Sequence, residues 1–204
     1  MAGRAHGAEG ALEPAGGRLA HRGDHRATGP LGGCEAAGRH GGVGIELYEA
    51  AGGLGRDTFV DTFAHLYPPA DLKAFLEDSY TPAAMARFLS EPGQAIWLAE
   101  ADGRAIGYVH AGPCTLPHPQ AGAACGEVKR LYVRREAQNR GLGDELLRIA
   151  LAWLEVPGRR LWVGVWSQNL GAQRLYRRHG FEKVGEYDFA VGSTLDHEFI
   201  MRRD

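Results

Sequence analysis

Cysteine is scarce in this chain of 204 residues, where only Cys34, Cys114 and Cys125 occur. They form no close C-x-x-C pair and have no companions at zinc-site spacing, which argues for reduced thiols of the kind a cytoplasmic protein keeps. An excess of charge of one sign is also lacking. Lys and Arg number 23 against 25 Asp and Glu, a formal net charge of −2, so a nucleic-acid partner held mainly by phosphate neutralisation is not expected. No apolar run approaches the roughly 20 residues that cross a bilayer. The first residues carry no compact apolar segment behind a basic start, so neither a membrane partner nor export is expected, and the cytoplasm is the expected location.

Two nucleotide-binding signatures are missing as well. Gly141 and Gly143 are followed by Asp144, Glu145 and Leu146, which does not complete the dinucleotide pattern G-x-G-x-x-G. No Gly-Lys-Ser/Thr ending exists for a phosphate loop of the Walker type.

What the chain has in quantity is glycine, 30 residues in all. Residues 1–44 are dominated by Gly, Ala, Arg and His. Ordering such a segment costs much backbone entropy with few large apolar groups to offset it, so a disordered extension is expected there. His6, His21, His25 and His40 are irregularly spaced without acidic or thiolate companions, and no metal site is expected.

A folded domain is expected over 45–204. "IELYEA" reads as a short strand interrupted by "AAGGLG", and from Arg56 a helix carries Phe59, Phe63 and Leu66 on one stripe until Pro68 and Pro69. "ADLKAFLEDSY" and "TPAAMARFLS" give two more helices, the latter capped by Thr81 with Pro82 in its first turn. The period then changes. "AIWLAEADGRAIGYVHAGP" is a hairpin about Asp102-Gly103, "GEVKRLYV" a further strand, and 141–155 a helix with Leu142, Leu146, Leu147, Ala150, Leu151 and Leu154 inward. "LWVGVW" is a strand covered on both faces. "NLGAQRLYRRHG" is a helix stopped by Gly180, and two closing strands turn at Gly192-Ser193. The order is mixed α/β and not a plain βαβ array.

The junction "YVRREAQNRGLGDELL" carries the chemistry. If "KRLYV" ends a strand and the helix begins at Gly141, the amides from Gln138 to Gly143 converge without intrahelical acceptors, and two positions without side chains let a diphosphate reach them. The residues alone leave both an anion site and an ordinary strand-to-helix turn open.

Gln138-Asn139-Arg140-Gly141-Leu142-Gly143 resembles the Q/R-x-x-G-x-G/A acetyl-CoA segment of the GCN5-related N-acetyltransferase (GNAT) superfamily. "NLGAQRLYRRHGF", Asn169 to Phe181, is similar to that superfamily's later helix. The resemblance implies a mixed, mostly antiparallel sheet of about seven strands flanked by helices, whose strands near 126–133 and 161–166 splay apart. In that wedge acetyl-CoA would bond to the backbone of Leu131, Tyr132 and Val133 and place its diphosphate on Gln138, Asn139, Arg140, Gly141, Leu142 and Gly143. Asn169 would orient the second strand-helix junction or approach the cofactor. Tyr176 would point toward the sulfur as general acid, and Glu127, at the start of the strand beside the wedge, is the candidate base that frees the amine. No metal is called for.

The implied activity is acetyl transfer to a small primary amine by direct attack. "DTF", "LEDSYTP" and the closing-strand segment resemble the bacterial spermidine/spermine acetyltransferases, which points to a polyamine, and Asp57, Asp61, Asp71, Glu77 and Asp78 are expected on the acceptor-side helices. Acetylation of a protein N-terminus or lysine is the alternative within enzymes; a non-catalytic CoA-binding sensor is the alternative outside them. An exposed sheet edge leaves a homodimer open. Asp144 departs from the small or basic residue common at its position, and its side chain is expected to turn away from the phosphates.

Overall fold

Local signals fix most of the element ends. In the computed structural model, which describes residues 35–38 and 45–204, Thr81 accepts the amide of Ala84 at 3.2 Å, so helix α3 (Pro82–Ser90) starts where α2 (Pro69–Tyr80) stops. Asp102 and Gly103, with φ of 52° and 73°, turn strand β2 (Ala95–Ala101) into β3 (Arg104–Pro113). Asn169 caps α5 (Leu170–Arg178) by accepting from Ala172 at 3.0 Å, and Gly180 leaves it at φ 82°.

Helix α1 corrects the element expected at the start of the domain. It runs from Ile45 to Phe63, through the segment read as a strand and a glycine interruption. The cause is non-local. A Cβ on Gly52 would stand 2.4 Å from the Tyr80 carbonyl oxygen, and one on Gly55 would stand 2.7 Å from the Tyr80 ring and 2.8 Å from the Tyr108 hydroxyl. These glycines let the helix lie close against α2 and the sheet, and the tertiary contacts outweigh the roughly 1 kcal/mol that each glycine costs a helix.

The remaining elements are β4 (Gly126–Val133), α4 (Leu142–Leu154), β5 (Leu161–Trp166), β6 (Glu182–Val191) and β7 (Thr194–Arg203). With β1 (Glu35–Gly38) on the edge, they make a seven-stranded sheet in the order β1-β2-β3-β4-β5-β7-β6, in which β4 and β5 are the parallel pair. The expected extension at 1–44, with Cys34 and its four histidines, otherwise lies outside the described residues.

On one face α4 buries the six apolar side chains expected of it against Val109, Val128 and Val163. Burying each such side chain contributes about 1.5–3 kcal/mol. On the other face α1 to α3 pack two clusters, one around Leu54 and Met85 and one around Phe59, Tyr67, Leu76 and Tyr80. Gln173 of α5 is a polar member of the interior that the helical pattern did not announce; its amide donates to the carbonyls of Ser167 at 2.9 Å and Trp166 at 3.3 Å. No helix among the described residues is long and apolar enough to cross a membrane.

Candidate active site

Strands β4 and β5 stay paired for only three residues, Gly126 with Leu161, Glu127 with Trp162 and Val128 with Val163. Both continue beyond that point without partnering each other, so the sheet opens into a wedge. A cavity of about 550 Å³ occupies this opening and reaches both faces of the sheet. Val128, Leu131, Val165, Ala172 and Tyr176 border it from the side of α4 and α5. Phe59, Phe63, Phe75 and Tyr80 close the opposite side.

A bulge decides which β4 side chains reach the opposite side. The β3–β4 register slips between His110 and Ala111, pairing them with Arg130 and Val128 and leaving Lys129 over. The extra residue reverses the alternation. Val128, Leu131 and Val133 pack under α4, whereas Glu127, Arg130 and Tyr132 stand on the other face. A regular strand would have sent Arg130 into the apolar layer beneath α4.

Glu127 is buried at 6% exposure. Its Oε2 accepts from the Thr115 amide at 2.8 Å, the Thr115 hydroxyl at 3.2 Å and the Lys129 ammonium at 3.0 Å, while Oε1 has no partner among the described residues. Two carboxylates of β7, unremarked in the sequence, share the cavity with it. Glu198 accepts from the Tyr187 hydroxyl at 2.6 Å, and Asp196 from the Tyr67 hydroxyl. Burial raises the Glu198 carboxyl above the ordinary glutamate value, and the negative charges of Asp196 and Glu127 add to it against the Tyr187 hydrogen bond. Its signal in the sequence is the alternation Asp196, Glu198, Ile200, which puts all three on one face of β7.

The acidic helix residues expected beside the acceptor are engaged elsewhere. Asp57 pairs with Arg134, Asp78 with Arg87, and Asp71 accepts the amide and hydroxyl of Ser193. None of these three lines the cavity, to which α1 and α2 contribute aromatic rings instead.

Tyr176 presents its hydroxyl without a hydrogen-bond partner among the described residues, and burial holds it protonated well above the ordinary tyrosine range. Tyr132, whose hydroxyl lies 2.8 Å from that of Tyr80, and Glu198 are its electrostatic neighbours. His110 also borders the cavity. Its imidazole is neutral, pushed down to about 3 by burial and then by Arg130 and Lys129. Cys114 is buried, with its thiol pushed up to about 11, which disfavours a nucleophilic thiolate.

Beyond β4 the chain makes a single 3₁₀ turn, Arg135–Ala137, and enters α4 through Asn139 at φ 60° and Gly141 at φ 88°. The backbone amides from Asn139 to Asp144 have no acceptor among the described residues, and a Cβ on Gly141 would meet nothing within 4 Å. These are the free donors and open approach that an anion at a helix start requires. Gln138, though exposed, turns back along the chain and donates to the Val133 carbonyl at 3.0 Å. Asp144 turns aside, as its position requires: it meets His179 at 2.8 Å and Arg148 at 3.0 Å, and the His179 hydrogen bond leads the lowering of its carboxyl below the ordinary range.

Of the residues singled out in the sequence, Glu127, Leu131, Tyr132, Asn169 and Tyr176 therefore border one cavity, while Val133 and Gln138 to Gly143 form the turn beyond its edge. No group of three or more metal-ligating side chains occurs among the described residues.

The acetyltransferase (GNAT) family model matches residues 57–181. A Lactobacillus delbrueckii subsp. lactis protein named as an uncharacterised N-acetyltransferase is 28% identical over 155 residues, which span 74% of this chain and 87% of that one. A Mycobacterium tuberculosis protein, also named as an uncharacterised N-acetyltransferase, is 28% identical over 148 residues, 70% of this chain and 90% of its own. Among solved structures, PaiA N-acetyltransferase from Thermoplasma acidophilum, in complex with coenzyme A, superposes with a TM-score of 0.61 at 22% identity. The match covers 83% of this chain and 98% of that one, a likeness of fold.

Proposed function

The chain belongs to the acetyltransferase (GNAT) family and is an N-acetyltransferase, and from that premise we propose that its donor is acetyl-CoA and its acceptor a compact primary amine that attacks the donor directly. The observation that carries this reading is the early parting of β4 and β5, which opens into the same cavity that holds Glu127 and Tyr176.

The donor side fits the residues present. Unspent amides from Asn139 to Gly143, with the partial positive end of α4 behind them, hold the diphosphate. Gly141 contributes room, and Arg140 adds local positive potential. The edge of β4 that β5 leaves after Val128 offers the main-chain groups of Leu131 and the amide of Val133, whose carbonyl Gln138 already occupies, to the pantetheine arm beside Tyr132. Acetyl-CoA supplies the acetyl group as a thioester.

On the acceptor side an alkylamine is mostly protonated near neutral pH and must lose a proton before it attacks. Glu127, with Oε1 free, is the base in this reading, and Tyr176 returns a proton to the departing sulfur. Asn169 spends its oxygen on the α5 cap and so fixes the helix that carries Tyr176. Direct attack is favoured over an acyl-cysteine because Cys114 is buried, its thiol is pushed up to about 11, and no histidine among the described residues is hydrogen-bonded to it.

Aromatic rings from α1 and α2 cover the acceptor side, which favours a compact amine over a protein segment. Four carboxylates, Glu91, Glu127, Asp196 and Glu198, line the cavity against Lys129 and Arg130, so polyamines belong in the first panel. The test is calorimetric titration with acetyl-CoA, followed by mass detection of acetylated product with spermidine, small monoamines, amino acids and short peptides. Failure to take up acetyl-CoA by the folded protein would end the reading.

A further inference from the structure

Among the described residues Arg130 is a cation without an ion-pair partner. Its guanidinium lies over the rings of Phe88 at 4.8 Å and Tyr80 at 5.1 Å, and Nη1 donates to the Ser79 carbonyl at 3.3 Å and approaches the Met85 sulfur at 3.7 Å. Nε and Nη2 form no hydrogen bond among the described residues, although the Tyr108 hydroxyl lies beside the group. No carboxylate among those residues comes within ion-pair distance of it. Its neighbour Lys129 differs, being paired with Glu127 at 3.0 Å.

A guanidinium cannot shed its proton, so it stays charged wherever the fold puts it. Holding such a charge in a largely apolar setting is costly unless it is matched, and two ring faces offset only part of that cost. The bulge at Lys129 nevertheless directs Arg130 to the cavity and not to solvent. The site has its opposite charges elsewhere: Asp196 and Glu198 stand on β7, across β5 from Arg130.

We propose that Arg130 receives an anionic group of the acceptor, so that the substrate is an amine that also carries a carboxylate, held by Arg130 at one end while its amine faces Glu127 and Glu198. This rests on the proposed function and narrows its acceptor class, setting amino-acid-like molecules ahead of polyamines. A carboxylate suits the planar guanidinium, which can give it two parallel hydrogen bonds through the unspent donors.

The test compares pairs that differ only in charge: L-phenylalanine with L-phenylalaninamide, β-alanine with β-alaninamide, and 6-aminohexanoate with 6-aminohexanamide, beside spermidine. The α-amine of an amino-acid amide deprotonates more readily than that of the acid, so a preference for the acid cannot arise from amine basicity. The expected result is a kcat/KM at least about 30-fold higher for the acid in the best pair. Arg130→Met should reduce that ratio to near one with acetyl-CoA affinity unchanged, and Arg130→Lys should keep part of it. The ratio in the unaltered protein needs no variant and stands even if Arg130→Met does not fold. Acids and amides turned over equally, spermidine outrunning every acid, or a preference surviving in Arg130→Met overturns the proposal while the acetyltransferase reading stands. Absence of acetyl-CoA uptake by the folded protein overturns both.

Discussion

Tyr187 on β6 donates its hydroxyl to Glu198, its cross-strand partner on β7, at 2.6 Å. The pair places a partly buried carboxylate in the cavity with one of its oxygens already occupied. Burial raises the affinity of Glu198 for its proton above the ordinary glutamate value of 4.5. The stability this group contributes is therefore complete below that value and is lost as pH rises through the raised one. Glu198→Gln, which keeps an acceptor for Tyr187, should melt a few degrees above the parent at pH 8, with the difference shrinking toward pH 4. Thermal unfolding across that range decides it; an equal or reversed difference at every pH would show that burial of this charge is not the governing effect.

Tyr176 leads to a kinetic expectation. Its hydroxyl borders the cavity unpaired, and burial keeps it protonated across any useful pH. In its proposed role as general acid toward the sulfur it acts in the transition state, so Tyr176→Phe should lower kcat by about 10²-fold while the acetyl-CoA Kd stays within about twofold. Stopped-flow measurement of thiol release, with calorimetry for binding, separates the two. A change confined to Kd would make Tyr176 a packing residue.

Much of this arrangement was legible from short-range chemistry. Thr81, Asp102-Gly103, Asn169 and Gly180 each mark an element end for a reason confined to a few residues, and all four act at their expected places. The glycine junction at 141–143 belongs to the same kind, because free amides at a helix start follow from sequence order alone. What was illegible depends on distant partners. Gly52 and Gly55 read as breakers because their reason, the Tyr80 and Tyr108 side of the fold, lies far along the chain. The bulge at Lys129 has no turn residue to announce it, yet it assigns Arg130 to the cavity. Acids for the cavity were sought on the helices, whereas Asp196 and Glu198 line it from β7, where only their two-residue alternation hinted at a common face.

Asp144 sits in the first turn of α4 but spends its charge on His179 and Arg148, joining α4 to the end of α5. Its lowered carboxyl means that the contribution is present above the ordinary aspartate range and lost as pH falls through the depressed value. Asp144 is partly exposed, so solvent discounts the pair. Asp144→Asn should cost about 0.5–1 kcal/mol near neutral pH, and that cost should fade in acid. Acetyl-CoA should bind at least as tightly, since a negative charge near the diphosphate has been removed. Chemical denaturation at two pH values and a calorimetric titration check both parts; a Kd weakened about tenfold would make the link to His179 a support of the cradle itself.

Gly141 and Gly143 separate backbone strain from ligand space. Gly141 has φ 88° and open space where a Cβ would stand, whereas Gly143 has ordinary φ and would place a Cβ 3.8 Å from Leu175 and Val133. Gly141→Ala should therefore lose about 1–2 kcal/mol of stability through the left-handed backbone alone, with no clash to relieve. Gly143→Ala should fold with unchanged or slightly raised stability, gaining up to about 1 kcal/mol from helix propensity. If the diphosphate lies on these amides, the methyl of Gly141→Ala occupies its approach, and acetyl-CoA affinity should fall by at least about tenfold under conditions where the variant is fully folded. Titration below the melting range of each variant is the measurement. Wild-type affinity in a folded Gly141→Ala protein would mean that the phosphates bind elsewhere, because no rearrangement of neighbouring side chains can make room for them along a backbone path the new methyl already fills.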